Sequence, residues 1–215
     1  KKAWRRITGQ HYFNFEPIPN VVHAAQSEYA ASYLATCGIE SIMLSDYLGE
    51  TISQSAQNEA HTHKEDIIVY NPEKGIKYTT EIIDRMPQVQ FAALKEMTPG
   101  EVGSLLKRSK IYIDFGSHPG KDRIPREAAL HGCCVVVGRR GSANFDKDVA
   151  IPAEYKRSVE PFDSREVAAL LNSILQEYPV RRADFDGYRE RIRLEEQVFD
   201  MELSALANWI SKSKR

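Results

Sequence analysis

The chain has 215 residues, 42% of them hydrophobic and 27% charged. That balance is ordinary for a soluble globular protein and long enough for one substantial core, or one domain with an appendage. A formal net charge of −1 excludes a global field that selects for nucleic acid. No run of about 18 apolar residues offers a membrane-spanning helix. The opening KKAWRRITGQ is basic without a following apolar stretch, so it does not read as a secretory signal. Cys37, Cys133 and Cys134 show no paired spacing, which fits a reducing, cytoplasmic setting rather than a disulfide framework.

In chain order, Pro17 and Pro19 break any regular element at the start. VVHAA over 21–25 reads as a buried strand. Ser27 then caps a helix with Ala30, Ala31, Leu34 and Ala35 on one face, and Gly38 stops it. SIML over 41–44 is a short apolar run, and the polar, aperiodic residues 50–66 form a loop or a ragged helix. From residue 67 the pattern is regular. IIVY at 67–70 predicts a strand, and Ile76, Thr79, Ile82 and Ile83 predict a helix over 76–86. Val89–Leu94 predicts the next strand, and Thr98, Pro99 and Glu101 open a capped helix with Val102, Leu105 and Leu106 inward. IYIDF at 111–115, a short helix over 123–131 and the strand CCVVVG at 133–138 follow.

Continuous apolar strands alternating with helices predict an α/β fold: a Rossmann-like parallel sheet covered on both faces and flanked by helices. After residue 150 no strand is expected. Ser164 caps a helix bearing Val167, Leu170, Leu171 and Ile174, and a longer helical region covers 184–212. The sheet domain is placed at 61–215. Residues 1–60 are either the remnant of a partner domain or a further strand of the same sheet.

Ligands of such sheets bind beyond the C-terminal ends of the strands. Three of those ends carry polar, glycine-bearing loops: 71–75, 116–126 and 138–143. In the middle loop, Gly116 and Gly120 permit tight turning and close approach to a ligand. Pro125 sits in the first turn of the helix, and the free N–H groups there favour a phosphate. Lys121 and Arg123 add positive charge, while Arg126 is open between a ligand contact and a surface ion pair. Glu127 either serves only its own helix dipole or accepts hydrogen bonds from ribose or sugar hydroxyls. Gly141 and Ser142, after Arg139 and Arg140, form either a second anion-binding loop or a solvated turn. His61 and His63, near Glu59 and Glu65, lack a partner cluster, so no metal is expected. No Ser-His-Asp set, Cys-x-x-Cys pair or GxGxxG fingerprint is present, which argues against a dehydrogenase, and no catalytic residue is assigned.

IYIDFGSHPGKDRIPREAALHGCCVVVG resembles the donor-binding segment of retaining, family 4-like GT-B glycosyltransferases. The resemblance rests on a strand, a glycine-bearing loop, a helix start, a glycine and an apolar strand. Pro125, Glu127, Ala128, Gly132 and Val135 to Val137 carry it. It implies that Glu127 meets the donor ribose and that Lys74-Gly75 meets the diphosphate. A second Glu that would contact the donor sugar falls at Pro119, so the paired motif is incomplete; His118 is adjacent and is the candidate substitute. Residues 1–60 then resemble the end of an acceptor-binding domain, with HAAQSEYAASYL as a strand and helix.

Residue chemistry and resemblance together give a donor site of Lys74, Gly75, His118, Gly120, Lys121, Arg123, Glu127, Gly141 and Ser142. The donor nucleotide sugar is substrate, with no cofactor. The implied partners are that nucleotide sugar and a second GT-B domain in the same protein or another chain. Nucleic acid is not among them, and peripheral membrane association would come through a portion outside this sequence. The implied activity is sugar transfer in polysaccharide or glycoconjugate assembly. The alternatives are a module that binds a nucleotide or phosphosugar without chemistry, and an assembly subunit.

Overall fold

A computed structural model describes residues 21–50, 52 and 63–213. The expectations for residues 1–20 and for most of 50–66, His61 included, lie outside the described residues. His63 is exposed.

The described chain starts with a small unit: β1 (His23–Ala25), α1 (Glu28–Thr36) and β2 (Ser41–Met43), the two strands pairing in parallel. Ser27 caps α1 as its sequence position implies, its hydroxyl accepting from the Ala30 N–H at 3.1 Å. No residue of α1 is buried. β1 and β2 do not pair with the larger sheet, so among the described residues this segment adds no strand to it.

The main body follows as β3 (Glu65–Tyr70), α2 (Ile76–Ile83), β4 (Gln90–Ala93), α3 (Pro99–Arg108), β5 (Ser109–Asp114), α4 (Arg123–Leu130), β6 (Cys134–Gly138) and β7 (Lys156–Arg157). Its five strands are all parallel, in the order β4-β3-β5-β6-β7. The fold is α/β, a parallel sheet flanked by helices. Ile67 to Val69, Ile111 to Ile113 and Val135 to Val137 are each at most 1% exposed. Both faces of these strands are covered, which is why their sequences are continuous apolar runs. α3 starts as its sequence requires, with Thr98 and Glu101 forming a reciprocal capping box.

The C-terminal helices are α5 (Ser164–Gln176), α6 (Tyr178–Ala183), α7 (Asp186–Arg193) and α8 (Glu195–Ser213). One expectation is corrected here. A strand does exist after residue 150: β7 pairs Lys156 with Val137 and Arg157 with Gly138. A two-residue edge strand of basic side chains has no apolar signature, so only its tertiary partner reveals it. The helical region expected over 184–212 is present as α7 and α8. It divides at Leu194, and Glu195 beside the break turns inward to Arg126.

The chain crosses from β3 outward to β4, then returns to place β5 on the other side of β3. The winding therefore reverses between β3 and β5. The loops after those strands diverge there and open the crevice in which such sheets bind ligands.

Candidate functional site

The loop after β3 brings Lys74 and Gly75 to the switch point. Gly75 has φ +63°, and a Cβ there would lie 2.5 Å from the Phe115 carbonyl carbon. The loop thus rests directly on the end of β5, and only glycine permits that approach. The Lys74 ammonium pairs with the Asp122 carboxylate across the crevice.

The loop after β5 is organised by buried polar groups. The Asp114 carboxylate accepts from the Gly116 N–H at 2.8 Å and the Tyr112 hydroxyl at 3.2 Å. His118 is fully buried, with Nε2 3.3 Å from Asp114 Oδ1 and Nδ1 3.6 Å from Asp122 Oδ2. Neither ring nitrogen has a partner in hydrogen-bonding geometry. Asp114, His118 and Asp122 each bring one ligand-type atom within 4.8 Å of the others. They are the described group able to hold a cation, although the Lys74 ammonium already faces Asp122. The sequence did not show this grouping as a cluster. In this state His118 is closed off from solvent, its ring lying between the Asp114 and Asp122 carboxylates.

Asp122 is the N-cap of α4, in extended conformation, yet its side chain makes no capping bond. The carboxylate is turned toward Lys74 and His118 instead. The first-turn amides of α4 therefore lack a side-chain cap and remain an anion-favouring end. Glu127, one turn further, is 2% exposed. Burial pushes its carboxyl above the ordinary carboxylate range, while Arg123 and His131 pull it back. Arg123 Nε lies 3.1 Å from Glu127 Oε2, but the angles are poor and that oxygen has no hydrogen bond.

Arg126, left open by its sequence position, is buried and structural. Nη1 donates to Glu195 Oε2 at 2.7 Å, and Nη2 lies 3.1 Å from Asp46 Oδ1. The same guanidinium donates to the carbonyls of Lys121 at 3.0 Å and Asp122 at 3.3 Å, which fixes the turn into α4. Lys121 Nζ lies 3.7 Å from Glu195 Oε1. Asp46 and Glu195 come from opposite ends of the chain, and nothing in their local sequence marks them.

The loop after β6 is tied to the loop after β5. Gly141 has φ +56° and pairs with His118, and a Cβ there would meet the His118 carbonyl oxygen at 2.0 Å. The Ser142 N–H donates to the His118 carbonyl at 2.9 Å, and the Ser142 hydroxyl donates to the Gly120 carbonyl at 2.6 Å. Ser142 is fully buried, so its hydroxyl holds two loops together rather than facing the crevice. Gly120 lies under Gln26, where a Cβ would come 2.3 Å from Gln26 Oε1. Lys74, Gly75, His118, Gly120, Lys121, Arg123, Glu127, Gly141 and Ser142 thus all fall on the C-terminal edge of one sheet. In this state Lys74, Lys121 and Arg123 each face a carboxylate of the protein.

No family model matches the sequence, and no curated protein matches it. Solved structures match the fold. Anabaena HepE in complex with UDP-glucose aligns with a TM-score of 0.58 at 11% identity, over 87% of this chain and 64% of that one. S. aureus TarM, as a variant in complex with fondaparinux, alpha-GlcNAc-glycerol and UDP, aligns with a TM-score of 0.63 at 13% identity. That match covers 87% of this chain and 43% of TarM. A UDP-forming alpha,alpha-trehalose-phosphate synthase from Burkholderia xenovorans gives a TM-score of 0.58 at 11% identity, over 86% and 61% of the two chains. The fold is that of a GT-B Rossmann-like half. At these identities the likeness concerns architecture, and this chain spans less than two thirds of the length of each of those proteins. Among the described residues, no helix is long and apolar enough to cross a membrane.

Proposed function

We propose that this chain is the donor-binding half of a glycosyltransferase, receiving a nucleoside diphosphate sugar whose sugar passes to an acceptor bound by a second domain. One observation carries the reading. The uncapped start of α4 stands beside Lys74 at the point where the sheet reverses its winding, and Glu127 lies buried further along the same helix.

The α4 amides and Lys74 suit a diphosphate. Glu127 suits ribose hydroxyls, since its Oε2 is buried without a hydrogen bond. The diphosphate would displace Asp122 from Lys74, exchanging one anion for another. As the glycosidic bond breaks, negative charge grows on the leaving diphosphate, and the same donors stabilise it more strongly in the transition state than before. The solved structures that share the fold include complexes with UDP-glucose and UDP, which supports the substrate class. Retaining, family 4-like chemistry, an acceptor from polysaccharide or glycoconjugate assembly, and a cytoplasmic setting belong to the same proposal.

Pro119, standing where a sugar-contacting carboxylate would, favours a second reading: binding of a nucleotide sugar without transfer. Thermal shift against UDP, GDP, ADP, CMP and their sugar conjugates tests the shared part, because a ligand of the folded state raises the melting temperature. One nucleotide should raise it by several degrees, and Glu127→Ala should remove most of that rise while the unliganded protein stays folded. An unchanged rise in Glu127→Ala takes Glu127 out of the site. Donor turnover in the presence of an acceptor-binding domain then separates transfer from binding alone.

A further inference from the structure

Beyond the ends of β5, β6 and β7 lies a second cavity of about 370 Å³, separate from the Lys74–Asp122 crevice. That volume is at the small end of ligand sites, roughly 300 to 1,000 Å³. Ser117, Arg140, Asn144, Ser158 and Glu160 give it polar walls, with Val159 as an apolar side. Arg139 also lines it, but its guanidinium donates to the carbonyls of Lys156 at 3.1 Å and Ala153 at 3.3 Å.

Arg140 differs from the cations of the neighbouring loops, and Glu160 is an exposed carboxylate that lines the same cavity. Lys74, Lys121, Arg123 and Arg126 all face carboxylates. Among the described residues, the Arg140 guanidinium has no ion-pair or hydrogen-bond partner, and neither has the Glu160 carboxylate. Only the backbone of each is engaged, Arg140 N–H to the Gly138 carbonyl at 2.7 Å and Glu160 N–H to Ser158 Oγ at 3.3 Å. Opposite charges that line one cavity without pairing leave a gap for a ligand that meets both. A bare phosphate would be repelled by Glu160, and a cation by Arg140. A neutral polyol satisfies the two together, because the carboxylate accepts from vicinal hydroxyls while the guanidinium donates to hydroxyl or ring oxygens.

The wall of the cavity is continuous in chain with the loop of the proposed diphosphate site. Ser117 in its wall immediately precedes His118, and Gly141, also in its wall, pairs with His118. The loop that forms one side of the cavity leads directly into the first turn of α4.

We infer that the Arg140–Glu160 cavity holds the uncharged hexosyl group of the donor, with Glu160 supplying the carboxylate that Pro119 lacks. This rests on reading the chain as a nucleotide-sugar binder. The test is calorimetric titration of the full chain with matched pairs: UDP and UDP-glucose, GDP and GDP-mannose, ADP and ADP-glucose. The wild type should bind the sugar conjugate of one pair more tightly than the bare diphosphate. Glu160→Gln and Arg140→Ala should each weaken the conjugate about tenfold, with less than about a twofold change for the diphosphate. Arg140→Lys checks that any loss in Arg140→Ala is not misfolding, together with an unchanged melting temperature of each unliganded variant. Equal losses for conjugate and diphosphate would overturn the assignment by placing these residues at the phosphates. No change for either would overturn it by emptying the cavity of a donor role. If the wild type binds no member of any pair, the nucleotide-sugar reading fails first and takes the cavity assignment with it.

Discussion

The five-stranded sheet and the β1–α1–β2 unit are both parallel strands joined by helices, yet different forces hold them. The sheet's central strands are sealed on both faces, and α4 buries every residue from Pro125 to Leu130. In the small unit, α1 buries none, and each strand has only three residues. An isolated two-stranded sheet is marginal in water. The small unit is instead fastened to the main body by a few discrete contacts, one of them the Tyr29–Phe145 ring pair and the others polar. Asp148 accepts from the backbone N–H groups of Glu28 at 2.8 Å and Tyr29 at 2.9 Å, and Glu202 of α8 accepts from Ser45 N–H at 2.6 Å. Apolar burial lets a region specify itself, whereas fastening by discrete contacts makes it depend on partners distant in sequence.

Arg126 is where the two regions meet, so its removal should have the largest effect. Arg126→Ala leaves Glu195 buried without its guanidinium and frees Asp46, at a cost of about 3–5 kcal/mol. Chemical denaturation should show that loss, together with loosening of the 121–122 turn visible as faster amide exchange in the first turn of α4. A change below about 1 kcal/mol would mean that the network is solvated and the regions are not joined through it.

Core truncation sharpens the contrast directly. Ile68→Ala in β3 should cost about 2–5 kcal/mol, whereas Leu34→Ala on α1 should cost at most about 1 kcal/mol. Similar values for both would show that the small unit has an apolar core of its own.

Acidity probes the site within the main body. Burial raises the Glu127 carboxyl above its ordinary range. A raised folded-state value favours the native state below the ordinary carboxylate pKa, and that contribution is lost as pH rises through the folded value. Glu127→Gln should therefore be more stable than wild type at neutral pH. The difference should shrink as pH falls toward 4. Denaturation midpoints from pH 4 to 8 test the sign, and a Gln advantage that grew on acidification would contradict it.

The smallest effect should be local. Asp148→Ala removes the acceptor from two α1 amides, which helix caps value at about 1 kcal/mol. Amide exchange at Glu28 and Tyr29 should quicken while the sheet stays protected. Global loss of protection would instead make Asp148 a support of the main body.

Much of this was legible in the sequence. Ile67 to Tyr70, Ile111 to Phe115 and Cys133 to Gly138 read as covered strands because burial on both faces demands unbroken apolar runs. Thr98 and Glu101 announce their helix because a capping box is local chemistry. The glycine-bearing loops and the α4 start identify the edge where a ligand would sit. Lys156–Arg157 could not be read as a strand, since the main-chain bonds to Val137 and Gly138 make it one. Ser142 shows the same limit: its loop position suggests a ligand contact, and its hydroxyl is bonded to Gly120.

The sequence by itself determined the α/β class, the alternation of strand and helix, and the loops of chemical interest. Those follow from periodicity and local caps, which act over a few residues. Tertiary structure alone decided which charges remain free. Arg126 is bound by Asp46 and Glu195, Lys74 by Asp122, and Arg140 by nothing among the described residues. A guanidinium's partner depends on where distant segments meet, and short-range sequence pattern does not encode that distance.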